Sequence, residues 1–299
     1  MSFQPLSALS RVLASVDAPR NLRALYALLA GFCLAGLLLA SAQSAVMRGD
    51  TLLSAVWMGL ALAVAFFGVN TTGLLLMDQA RGLPVRDPQD ALAEALRSAH
   101  RVLLTLLACL ALAAAGVAAL AGLLWATRWP WVGAPLMALV LPVGVLLLGS
   151  LAFIIVVLVG PLAGPAVWAG QRSSGVLAFL RRRLRHGLPE TALLMSAVYL
   201  LVALTTAAVS FVVVTGGKLL AGLAILGAGI ELPARQLLAG VAGLGPRGFS
   251  ASGVALEGGN LGLAALIGGG VVFALALVLP TLVWLRGCCA VYLALMDDE

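Results

Sequence analysis

Six apolar runs divide this chain, at about 25–44, 52–77, 102–125, 136–159, 191–215 and 261–289. A hydrocarbon core of roughly 30 Å takes about 20 helical residues to cross. In lipid a spanning segment must pair its backbone N–H and C=O groups internally, which makes runs of this kind helices. Composition agrees, since 62% of the 299 residues are apolar and 10% are charged, against about 25% charged in a soluble domain. The chain therefore reads as all-α: a polytopic transmembrane helix bundle of about six spans plus interfacial amphipathic helices, one integral membrane domain over 1–299. The first run ends in "LLLASAQSA", which resembles a signal-peptidase site. A polar leader of more than twenty residues and the length of the run argue for a retained span.

The segments between the spans have patterns of their own. In residues 1–20, Leu6, Leu9, Val12, Leu13 and Val16 share one arc and Ser7, Arg11 and Ser15 the other, as in a helix lying in the interface. Residues 88–101 begin a helix with Asp87 as N-cap, Pro88 at the first position and Asp90 in the first turn. Leu92, Ala95, Leu96 and Ala99 fall on one face, and Asp90, Glu94, Arg97 and Arg101 on the other. In the helix expected at 166–186, Val176, Leu177, Phe179, Leu180 and Leu184 form an apolar arc opposite Arg181, Arg182, Arg185 and His186. Arg183 alone falls inside the apolar arc, placed to snorkel to a phosphate or to pack between helices. Residues 216–260 form a glycine-rich outer segment, with short interfacial helices expected near 219–230 and 234–244.

Charge placement orients the bundle. Of the 18 Lys and Arg residues, thirteen lie in the N-terminal tail, the second and fourth loops and the C-terminal end, and five in the other loops. The positive-inside bias puts both termini and the basic loops in the cytoplasm. Trp125, Trp129 and Trp131 fall where an outer aromatic belt is expected. The net charge of +6 does not point to nucleic acid, because the arginine helix has no broad basic face and no interleaved stacking aromatics. Its partner is the lipid bilayer with anionic headgroups, contacted through Arg181, Arg182, Arg183, Arg185, Arg97 and Arg101. The "GPLAGP" of residues 160–165 lacks the Lys-Ser/Thr ending and preceding strand of a phosphate loop, so it reads as the close of the fourth span and a chain turn. Pro280 is expected to kink the last span.

Within the spans, ionisable residues are nearly absent, Arg286 near the end of the last one being the exception. Ion-coupled pumps depend on such groups, so active transport is not indicated. Asn70, Thr71, Thr72, Thr205 and Thr206 are the polar positions available to line a path, with interhelical contact as their alternative role. The carboxylates are scattered and the serines lack a partnered base, so no catalytic set emerges. His100 and His186 sit at helix ends, and Cys33, Cys109, Cys288 and Cys289 follow no ligand spacing. No cofactor or metal is expected.

An internal echo joins two inward spans: "LLLMD" at residues 74–78 and "LALMD" at 293–297. The helices after the second and fourth spans also align, "LAEALRSAHR" with "VLAFLRRRLR". "TTGLLLMDQARG", "DALAEALRSAHRVLLTLLA" and "GPAVWAGQRSSGVLAFLRRRLRHGLPETALL" resemble the recurring element of a loose group of bacterial six-span proteins. That group includes the membrane domain attached to some glycerophosphodiesterases, and the resemblance covers about residues 70–215. It implies a multi-pass inner-membrane protein and transfers no catalytic residue. The reading is a non-enzymatic scaffold or accessory subunit contacting anionic lipid, self-associating or held in a membrane complex. A passive solute channel is the alternative, and a lipid-handling enzyme or scramblase a further one.

Overall fold

A computed structural model describes residues 5–129, 131, 133–228 and 259–297. Among them the chain runs α1 (Pro5–Leu13), a 3-10 segment (Ala14–Arg20), α2 (Leu22–Met47), α3 (Thr51–Ala80), α4 (Pro88–Ala126) and α5 (Gly133–Ile154). A π turn (Ile155–Val159) leads to α6 (Gly160–Trp168), then α7 (Ser173–His186), α8 (Leu188–Ala228) and α9 (Gly259–Asp297). Six helices are long and apolar enough to cross a membrane, counting α5, the π turn and α6 as one. The protein is a multi-pass all-α membrane bundle.

Its packing is concentrated at one end. The first turns of α2, α4 and α8 and the last turns of α3, α6 and α9 meet there, and residues such as Leu28, Leu75, Leu158, Leu194 and Leu295 are buried together. The final turns of α9 are the centre of this core, in contact with α8, the 3-10 segment, α3, α1, α6 and α2. α1 adds Ala8 and Val12 to the core, whereas Leu9 and Leu13 of its expected apolar arc stay exposed. Towards the opposite end less is buried, chiefly small residues such as Ala42, Ala45 and Ala61 on α2 and α3 with Leu120 and Val140 on α4 and α5, and Leu52, Leu112, Leu146, Phe211 and Leu226 are exposed. Hydrocarbon tails are as apolar as leucine, so such faces need no protein partner in a bilayer. Where α2 and α3 do approach closely, Gly31 faces Gly68: a Cβ built on Gly31 would lie 3.1 Å from the Gly68 Cα.

Three helices run further than the hydropathy boundaries predict. The 39 residues of α4 join the expected 88–101 helix to the third span without a break. At 1.5 Å per residue that is about 58 Å, nearly twice the hydrocarbon thickness. Its buried seam is Ala91, Ala95, Ser98, Ala99 and Val102, while Leu92 and Leu96 are exposed. Small residues let the helix sit close to its neighbours, which displaces the leucine face expected from periodicity. α8 likewise continues to Ala228, so the first part of the helix expected at 219–230 is a continuation of the fifth spanning helix without a break. The helix expected at 234–244 lies outside the described residues. α9 passes through Pro280 and continues to Asp297.

The "GPLAGP" stretch differs most from expectation, for it is helix and not the end of a span. Proline at 161 has no N–H to give and its ring crowds the preceding turn. The chain answers with the π turn, in which the Gly160 N–H donates to the Ile155 carbonyl, five residues back. In that register the Val156 carbonyl would take its bond from Pro161, which has none to offer. The Tyr199 hydroxyl of α8 supplies it instead, at 2.9 Å. The chain turns only after Trp168. Gln171 N–H donates to Ala166 O at 3.1 Å and Gly170 N–H to Val167 O at 2.8 Å, with Gly170 at φ +95°. The same two-bond cap closes α3, through Leu83 to Asp78 at 3.0 Å and Gly82 to Gln79 at 3.2 Å, with Gly82 at φ +68°.

Candidate functional site

The arginine helix α7 presents three of its cations outward: Arg181, Arg182 and Arg185 are exposed, as is Arg97 on α4, and Arg101 is half-buried. Arg183 is placed differently from the headgroup contact expected of it. It continues the buried stripe of Val176, Phe179 and Leu180 by one more turn and is itself 8% exposed. Its guanidinium donates to the Leu295 carbonyl near the end of α9 and stands 4.0 Å from Glu190. Its cation also lies 5.8 Å from the centre of the Phe179 ring. It ties α7 to α8 and α9 and is turned away from the surface.

The five polar residues singled out in the spans bond back to their own helices. Asn70 Nδ2 donates to Phe66 O, and the Thr71 and Thr72 hydroxyls to Phe67 O and Gly68 O, each at 2.8 Å within α3. Thr205 and Thr206 do the same within α8, to Leu201 O at 2.8 Å and Val202 O at 2.7 Å. Asn70, Thr71 and Thr72 are buried, whereas Thr206 is exposed on the outer surface of its helix. Asn70 has an interhelical partner: Trp168 Nε1 of α6 donates to its Oδ1 at 2.9 Å. That tryptophan fits because of two glycines. A Cβ on Gly73 would lie 2.5 Å from Trp168 Cε2 and Cη2, and one on Gly164 would lie 2.9 Å from Cζ2.

The α3–α4 connection is held by charge and capping. Asp78, buried at the end of α3, accepts from Arg86 Nε at 2.6 Å and Nη2 at 2.7 Å. These bonds raise the Arg86 pKa above its usual value despite some desolvation. Arg23 at the start of α2 donates to Val85 O and Arg86 O and pairs with Asp87 at 3.1 Å. Asn21 caps α2 through the Ala24 N–H at 3.1 Å and reaches Leu75 O on α3 at 3.3 Å. The two echoed motifs share this use of their last residue, since Asp297 pairs with Arg11 as Asp78 pairs with Arg86.

At the same end of the bundle a groove of about 400 Å³ opens between α1, α3 and α9. Arg286, Ala290, Leu293 and Asp297, on one face of α9, form one wall, and Arg11, Ala14, Ala80 and Arg81 form the rest. The Nε of Arg286 is buried and has no hydrogen-bond partner among the described residues. Sequence reasoning noted Arg286 as an in-span cation and missed the convergence, because Arg11, Arg81 and Arg286 are far apart along the chain. His100 and His186 are exposed. No three His, Cys, Asp or Glu side chains are grouped to hold a metal among the described residues. Compared with models of known families, with curated proteins and with solved structures, the chain matches none.

Proposed function

We propose that the chain is a non-enzymatic protein of the bacterial inner membrane, a scaffold or accessory subunit with both termini in the cytoplasm. Its basic end rests on anionic lipid through Arg181, Arg182, Arg185, Arg97 and Arg101, each cation near such a surface contributing about 1 kcal/mol. Arg183 has a different task in this reading, which is to fix α7 so that its neighbours point outward. The exposed apolar faces of the spans meet lipid, a second copy or a membrane partner. The resemblance to membrane domains found with some glycerophosphodiesterases supplies no catalytic residue, so the reading rests on the helices themselves.

The observation that carries it is how the in-span polar groups are used. A path for solute needs donors and acceptors turned towards a shared cavity, and Asn70, Thr71, Thr72, Thr205 and Thr206 return theirs to their own helices or to Trp168. Purified protein in liposomes loaded with small neutral and ionic solutes is the test. The expected result is release no faster than from protein-free vesicles. Release that disappears in Asn70→Ala or Thr71→Val would overturn the scaffold reading in favour of a channel, and exchange of labelled lipid between leaflets would favour a scramblase.

A further inference from the structure

Among the described residues, the groove between α1, α3 and α9 carries an excess of positive charge. Three guanidinium groups line it, from Arg11, Arg81 and Arg286, against one carboxylate, Asp297. That carboxylate is taken by Arg11. Asp17, on the 3-10 segment beside the groove, pairs with Arg20 at 3.1 Å. Arg81 gives Nη2 to the Ala169 carbonyl at 3.2 Å, and this is its one side-chain hydrogen bond among the described residues. Arg286 makes no ion pair or side-chain hydrogen bond there, and its Nε is shielded from solvent.

Arg286 is half-buried, and a partly desolvated guanidinium with no ion pair carries a cost that a bound anion would relieve. The walls around these donors are small: Ala14, Ala80 and Ala290 leave the space that larger side chains would fill. Two guanidinium forks facing one space suit an oxyanion with several acceptor oxygens. Arginine pairs with phosphate in bidentate fashion, and a carboxylate offers two oxygens where phosphate offers more.

We propose that this groove is a phosphate-binding site, with Arg286 and Arg81 as the primary ligands and the Arg11–Asp297 pair as its rim. The phosphate belongs either to the headgroup of an anionic glycerophospholipid or to free inorganic phosphate. The site uses none of the outward-facing arginines of α7, so it stands or falls independently of the scaffold reading.

Full-length protein in mild detergent is titrated with phosphatidylglycerol, inorganic phosphate or phosphate-free diacylglycerol with the same acyl chains. Native mass spectrometry and the thermal midpoint are the readouts. The wild-type chain is expected to bind one phosphate group saturably and to gain thermal stability. Arg286→Gln and Arg81→Gln should weaken that binding at least tenfold. Arg128→Gln removes an exposed charge at the other end of the bundle and should leave it unchanged. Binding of phosphatidylglycerol alone assigns the lipid source, and binding of inorganic phosphate assigns a soluble anion. Without ligand, Arg286→Gln should be no less stable than wild type, because it removes a charge with no ion pair among the described residues. Should a variant fail to fold, the wild-type thermal shift still decides. No protection by either phosphate probe, equal protection by diacylglycerol, or wild-type affinity in Arg286→Gln would each refute the site.

Discussion

Gly73→Ala places sequence-based and structural expectations in direct opposition. Replacing an interior helical glycine with alanine gains about 1 kcal/mol of helix propensity. At Gly73, however, the new Cβ would lie 2.5 Å from two ring atoms of Trp168, so the indole must move. Overpacking of this kind costs about 1–3 kcal/mol. Moving the ring also breaks the 2.9 Å bond from Trp168 Nε1 to Asn70 Oδ1, and leaving such groups unpaired adds about 1–3 kcal/mol. With the propensity gain subtracted, the variant should lose about 1–5 kcal/mol. Gly116→Ala and Gly149→Ala provide controls, because a Cβ at either meets nothing within 4 Å. They should be neutral or gain up to about 1 kcal/mol. Unfolding in mixed micelles of mild detergent and increasing SDS, followed by tryptophan fluorescence, measures all three. Gly73→Ala should also couple to Trp168→Phe by about 0.5–3 kcal/mol, as residues in contact do. A Gly73→Ala protein as stable as Gly116→Ala would refute the proposed seat for Trp168.

Two further perturbations test the other contacts that hold the bundle. Tyr199→Phe removes the donor from the Val156 carbonyl freed by the π turn. It should cost about 0.6–2 kcal/mol in the same micelle titration, together with faster amide exchange around residues 155–160. Asp78→Asn removes the charged acceptor of Arg86. Because Arg86 is partly exposed, the expected loss is about 1–3 kcal/mol, read as earlier proteolysis of the α3–α4 connection.

The spans were legible in the sequence because length and hydropathy together admit few alternatives in lipid. Their ends were less so. Nothing at Arg101 or Val102 interrupts a helix, so the polar turns of α4 and its apolar turns are continuous, although their solvents differ. The stretch at residues 160–165 was misread for a specific reason: proline removes one hydrogen bond, and the sequence does not show that Tyr199, far along the chain, restores the bonding of a neighbouring carbonyl. Arg183 was legible as an exception on the apolar arc of α7, a position that left both snorkelling to a phosphate and packing between helices open. Its partner, the Leu295 carbonyl, was not. The arginine groove was hidden for the same reason, since only the fold brings Arg81 of α3 beside Arg286 of α9.

The proposed lipid contacts require the packed, arginine-bearing end of the bundle to face the cytoplasm. Single cysteines at Arg182 on α7 and at Trp131 between α4 and α5, both exposed positions, test it with a maleimide that does not cross membranes. The wild-type chain is the blank, because its own cysteines lie within the spanning helices. Arg182→Cys should react in inside-out vesicles and stay unlabelled in intact spheroplasts, with Trp131→Cys showing the reverse. Labelling of Arg182→Cys from outside the spheroplast would contradict the orientation and the lipid contacts built on it.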